Sequence, residues 1–168
     1  MVLTKDELLA SLQNEVRLLL HLASKVDATS ADYRPTPKQR STLELLQYLT
    51  IMAPIHLRGV LGEKFDMEEW RKAWTMGEGA ASAMRLDEAV ESIGKQPAMF
   101  SKLLGELSDD DLRTEIEIFG KKSSRGSLIV NLVLCHLSAY RMQLFLYLKE
   151  SGRTELNTVN LWMGVDKM

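Results

Sequence analysis

In the stretch CHLSAYRMQ, residues 135–143, His136 and Tyr140 stand four positions apart inside the most apolar run of the chain. Residues four apart lie one helical turn from each other on a single face. An imidazole and a second ligand at that spacing can reach one point in space, which is the geometry a metal site requires. A third ligand must then come from another helix, and the core of a helical bundle supplies that arrangement readily. Arg141 and Gln143 project away from the His136 face. Arg141 suits a structural ion pair or helix-end contact, and Gln143 a hydrogen bond.

Other reactive side chains carry weaker signals. Cys135 adjoins His136, but neighbouring helical residues diverge by about 100°. A catalytic Cys–His pair is therefore disfavoured, and a buried inert thiol is expected. His21 falls near the end of the first helix, where a cation suits the dipole. The residues three before His21, His56 and His136 are Leu18, Ala53 and Val133. This excludes the Glu-x-x-His pattern of di-iron bundles. GKKSSRG lacks the glycine of a phosphate-binding loop, because Glu115 stands five residues before Gly120. Asp109, Asp110 and Asp111 read as helix-start charges. Trp70, Trp74 and Met76 follow helical spacing and are expected in the core or as a lid over it.

Four long segments carry the periodicity that would position these groups. The first begins at Thr4, with Glu7 at capping-box spacing, and repeats Leu8, Leu9, Leu12, Val16, Leu19 and Leu20 on one stripe. Pro35 and Pro37 lie in the loop that follows. The second begins at Ser41, with Glu44 to complete the cap, and Pro54 predicts a kink or break. A short helix starts at Asp66, and residues 76–86 read as a loop. The third helix spans about 87–107, weakened by Gly94 and Pro97. In residues 113–127, Ile116 and Ile118 alternate with Glu115 and Glu117, which predicts half of a short hairpin. The last helix runs from about Ser127 to Glu150, and the tail brings Leu156, Leu161, Trp162 and Met163 back onto the bundle. The expected fold is an all-α four-helix bundle, with a crossover in the long connection after the second helix, forming one domain over 1–168.

Composition narrows the function. With 45% hydrophobic and 26% charged residues, the 168-residue chain has the balance of a folded globular protein. The 21 basic and 23 acidic residues leave a net charge of −2, which offers no footprint for nucleic acid or an anionic membrane. The run Leu128–Leu148 has the length of a membrane span, but Asn131, His136, Arg141 and Gln143 would lie inside it, so no membrane partner is expected. One cysteine and an N-terminus without an apolar signal core predict a cytoplasmic protein.

The segment HLSAYRMQLFLYLKESG resembles the last helix of the DinB/YfiT-like superfamily, in which the pattern is His-x-x-x-His-Arg-x-Gln before an apolar run and Gly. His136, Arg141 and Gln143 match that pattern, whereas Tyr140 stands at its second His. The family's helix-two motif, similar to ELLxHL, appears here as ELLQYL, which puts Tyr48 at the remaining ligand position. The loop DYRPTPKQRSTLELL extends the resemblance over most of the chain. It implies a divalent metal such as zinc or nickel, a metal-dependent thiol transferase or hydrolase relative, a low-molecular-weight thiol or other small-molecule ligand, and a homodimer. Two of the three histidines are replaced, so Tyr48, His136 and Tyr140 are expected either as a degenerate metal site or as a hydrogen-bonded polar cluster that needs no cofactor. A neutral phenol with a pKa near 10 is a poor ligand. His56, about 80° further round the second helix than Tyr48, enters the same cavity if Pro54 turns the helix. His56, Arg141 and Gln143 are the candidate pocket residues. The alternative is a non-catalytic, dimeric, small-ligand-binding or structural protein.

Overall fold

A computed structural model describes residues 3–167. Helix α1 (Lys5–Ala23) opens on a reciprocal cap, in which the Glu7 amide donates to Thr4 Oγ1 and the Thr4 amide to the Glu7 carboxylate. The short α2 (Ala28–Ala31) follows. Helix α3 (Thr42–Leu61) opens on the same device with Ser41 and Glu44. Helix α4 (Met67–Ala81) starts at Asp66, whose carboxylate accepts from the Glu68 and Glu69 amides. Next come α5 (Leu86–Gly94), α6 (Gln96–Gly105) and α7 (Asp109–Arg113). Strands β1 (Glu115–Ile118) and β2 (Lys121–Ser124) form an antiparallel hairpin. A continuous 26-residue helix runs from α8 (Arg125–Ile129) through a π turn (Val130–Leu134) into α9 (Cys135–Glu150). Helix α10 (Thr158–Met163) ends the order.

The bundle is a ring of α1, α5–α6, α3 and α8–α9 around one leucine-rich core. Helix α1 packs on α5, α6 and α9, and α3 packs on α5 and α9. Leu12, Leu19, Leu46, Leu49, Phe100, Leu137 and Leu144 from these helices are fully buried. In this ring, α1 faces α3 across the core, and α6 faces α9. The connections that join opposite helices are therefore residues 24–41 and 106–124. This corrects the expected position of the crossover: the segment after α3 joins neighbours, and it does so through α4, which lies along α3.

Helix α3 continues through Pro54 without a break. The proline supplies no amide to the carbonyl four residues earlier, that of Thr50. The buried Gln96 side chain fills the gap, its Nε2 donating to Leu49 O at 2.8 Å and reaching Thr50 O at 3.4 Å. The same region explains a second difference. The expected third helix is interrupted at Lys95, because Pro97 occupies the first turn of a new helix, and that break delivers Gln96 to α3. Residues 76–81 are helical despite Gly77 and Gly79, and at Gly77 the helix lies close against Ile51 and Ile55 of α3.

The hairpin turns on Phe119 and Gly120, at φ 53° and 74°, a two-residue left-handed turn that matches strand twist. Ile116 and Ile118 are buried, as alternation predicted. The tail docks through Leu156 and Leu161, while Trp162 and Met163 stay 53% exposed. The helix Arg125–Glu150 is long and apolar enough to cross a membrane by length and composition alone. Its Leu137, Leu144 and Leu148 are instead buried in the bundle.

Candidate functional site

The π turn ends two residues before His136. Such a turn widens the helix by a residue and frees backbone polar groups, and these turns recur at functional sites. Here the Leu132 carbonyl lies 2.8 Å from His136 Nδ1. A carbonyl only accepts, so Nδ1 is the donor in this contact and Nε2 is the ring nitrogen left outside it. Tyr140, one turn further on, has its ring centre 6.2 Å from that of His136.

From α3, Tyr48 meets Tyr140 edge-on at 5.2 Å between centres, and His56 lies 5.6 Å from His136. From α4, Trp74 stacks on Tyr48 at 5.6 Å and meets His56 edge-on at 5.5 Å. The five rings thus close a circuit: Tyr48, Tyr140, His136, His56, Trp74 and back to Tyr48. Trp70, one turn before Trp74, backs His56 at 6.0 Å. Tyr48, the position that the resemblance supplies, meets His136 through Tyr140, and His56 enters the same circuit although α3 does not break.

The electrostatics at Tyr48 and His56 favour their neutral forms. Burial, then hydrogen bonding to Tyr140, holds the Tyr48 phenol well above its ordinary range. Burial, then the nearby His136, pushes His56 down to about 4, so it is a neutral imidazole at pH 7. The Arg40 guanidinium lies over the outer face of Tyr48, 4.1 Å from the ring centre. The Trp74 indole Nε1 is buried without a hydrogen-bond partner among the described residues. Beside Tyr48 a groove of about 200 Å³ opens between α3 and α4, and a second recess of about 280 Å³ lies against Trp70.

Arg141 and Gln143 are not in this site, which corrects their assignment to the pocket. Arg141, 1% exposed, donates Nε to Glu15 at 2.8 Å and Nη1 to the Leu161 carbonyl, and its guanidinium lies 4.8 Å from the Trp162 ring centre. It ties α9 to α1 and α10, about 100° round the helix from Tyr140. Gln143 donates to the Tyr147 hydroxyl. Cys135 is exposed, not buried, because the π turn and the 100° step carry it to the outer face. Met76 is 68% exposed and belongs to neither core nor lid.

The circuit was only partly predictable. Trp70 and Trp74 gave helical spacing but no sign of which helix they cover. Arg40, in a loop before α3, gave no signal at all.

Zinc and nickel sites are built from neutral imidazole, thiolate or carboxylate ligands. Of Tyr48, His136 and Tyr140, only His136 offers such a donor. Tyr48 retains its proton more tightly than a free phenol, and Tyr140 is bonded to it. Among the described residues no group of three His, Cys, Asp or Glu is placed to hold a metal ion. This donor set fits a resident zinc or nickel ion poorly, and His56 is the one further imidazole within reach.

No family model matches the chain, and no curated protein matches it. Among solved structures, the crystal structure of the DinB-like protein YjoA from Bacillus subtilis superposes with a TM-score of 0.66 at 18% identity. The match covers 89% of this chain and 94% of that one. Helix order, the bundle and the superposition together give this chain the DinB-like fold.

Proposed function

We propose that this chain is a non-catalytic, small-ligand-binding protein on the DinB-like bundle, in which a closed aromatic circuit stands where the resemblance implies a metal centre. One observation carries the reading: Tyr48, Tyr140, His136, His56 and Trp74 contact one another in a closed circuit, and Tyr48 and His56 within it are held towards their neutral states. A ring-walled site recognises ligands through apolar contact and a few placed polar groups. Its location in the cytoplasm and a second copy of the chain as partner remain part of this proposal.

A second reading, a metal-dependent thiol transferase or hydrolase relative with altered ligands, is favoured by His136 Nε2, which the Leu132 contact leaves unused, beside the neutral His56. Metal analysis after purification without added ions decides between them. The ligand-binding reading predicts substoichiometric zinc and nickel, unchanged in His136→Ala. One equivalent of metal, lost in His136→Ala and His56→Ala, would overturn it.

A further inference from the structure

The groove beside Tyr48 has a composition that names a ligand. Its apolar walls are the Tyr48 ring, Ile51 and Ala81, and its rim carries Arg40, Glu44 and Glu78. Glu44 is already engaged, accepting from the Ser41 amide at 2.8 Å and from Arg34 at 3.0 Å. Arg40 and Glu78 form no ion pair among the described residues. Arg40 rests over the Tyr48 ring, and the charges of both act on the Tyr48 phenol, so the two flank the same wall. The Gln47 amide beneath donates to Met84 O at 2.7 Å and reaches Ser82 O at 3.4 Å, which fixes the side chain and leaves its oxygen as an acceptor.

We propose that this groove binds a free α-amino acid with an apolar side chain, its carboxylate on Arg40, its ammonium on Glu78, and its side chain against Tyr48, Ile51 and Ala81. The size agrees, since about 200 Å³ lies below the roughly 300–1,000 Å³ of pockets for drug-sized ligands. A guanidinium suits a carboxylate because it presents parallel donors, and here the Tyr48 face holds that guanidinium in place. An opposite charge on the same wall favours a zwitterion over a simple acid or amine, since either single-charge ligand leaves one rim charge desolvated and unmatched. The inference deepens the ligand-binding reading and rests on it.

The test is a calorimetric titration of the full chain, together with tryptophan fluorescence, because Trp74 stacks on the groove wall. L-Leucine, L-methionine and L-phenylalanine are the ligands, and N-acetyl-L-leucine and L-leucinamide the single-charge controls. Saturable binding of at least one amino acid is expected, weakened at least tenfold for its single-charge analogue. Arg40→Gln and Glu78→Gln, both at exposed positions, should each weaken binding about tenfold or more while the fold is retained by circular dichroism. Three results would overturn the proposal: no saturable signal from any of the three up to millimolar concentration, equal binding of the analogues, or unchanged binding in both variants. Metal content is measured on the same samples. Metal-free protein that binds no amino acid refutes this inference alone, whereas stoichiometric metal on His136 refutes the reading beneath it.

Discussion

At the scale of single residues, His56 has the clearest measurable consequence. Its folded pKa, about 4, lies below the ordinary 6.5. Well above pH 6.5 neither folded nor unfolded chain is protonated there, and the group contributes nothing to pH dependence. As pH falls from 6.5 towards 4, the unfolded chain gains a proton that the folded chain refuses, so stability falls through that window by roughly 3 kcal/mol. Urea denaturation of wild type and His56→Phe across pH 4–7 checks this, and the variant should lose most of the slope between 6.5 and 4. Parallel curves would mean that the imidazole is not excluded from water. His136 and Tyr140 were legible in the sequence because both sit on one helix at a spacing that dictates a shared face. His56 was legible only as a conditional neighbour, since an angle of about 80° from Tyr48 does not say how wide the cluster is. Arg141 and Gln143 share a motif with His136 yet serve other contacts, because helical geometry sends adjacent positions to different partners.

At the scale of the element, α3 shows how one long-range contact offsets a local fault. Pro54 removes a donor, and Gln96 from the α5–α6 break supplies another. Gln96→Leu should therefore cost about 1–3 kcal/mol, the range for an abandoned buried polar group. In a Pro54→Ala background the restored Ala amide can reach the Thr50 carbonyl, so the same Gln96→Leu change should cost less. A double-mutant cycle by urea denaturation measures the coupling, and an additive cycle would contradict it. The break at Pro54 was expected from the sequence because proline acts locally. Its rescue was not legible, because Gln96 lies more than 40 residues away. Capping explains why helix starts were legible: Thr4, Ser41 and Asp66 each place an oxygen on amides within the next few residues.

At the scale of the whole molecule, the ring of four helices was legible as a class, because each apolar stripe must be buried. The ring order was not, since periodicity says which face is buried and not against which helix. The same limit applies to assembly. Cys135, Ala139 and Leu146 are exposed and Met142 half-buried on α9, at spacings of four, three and four, beside the exposed Trp162 that caps Arg141. Between Leu128 and Leu148 the one fixed charge is the buried Arg141. A second copy packed on this face would follow the knobs-into-holes spacing of paired helices. Sedimentation should show a dimer that Leu146→Lys converts to monomer, with Cys135 forming an intermolecular disulfide under mild oxidation. A wild-type monomer would refute it. Whether an aromatic circuit stands in place of a metal centre is decided by titrating zinc and nickel into wild type and the double variant Tyr48→His, Tyr140→His. The account predicts no tight site in wild type and one equivalent of tightly bound metal in the variant, where three imidazoles converge. Tight stoichiometric binding by wild type would contradict it.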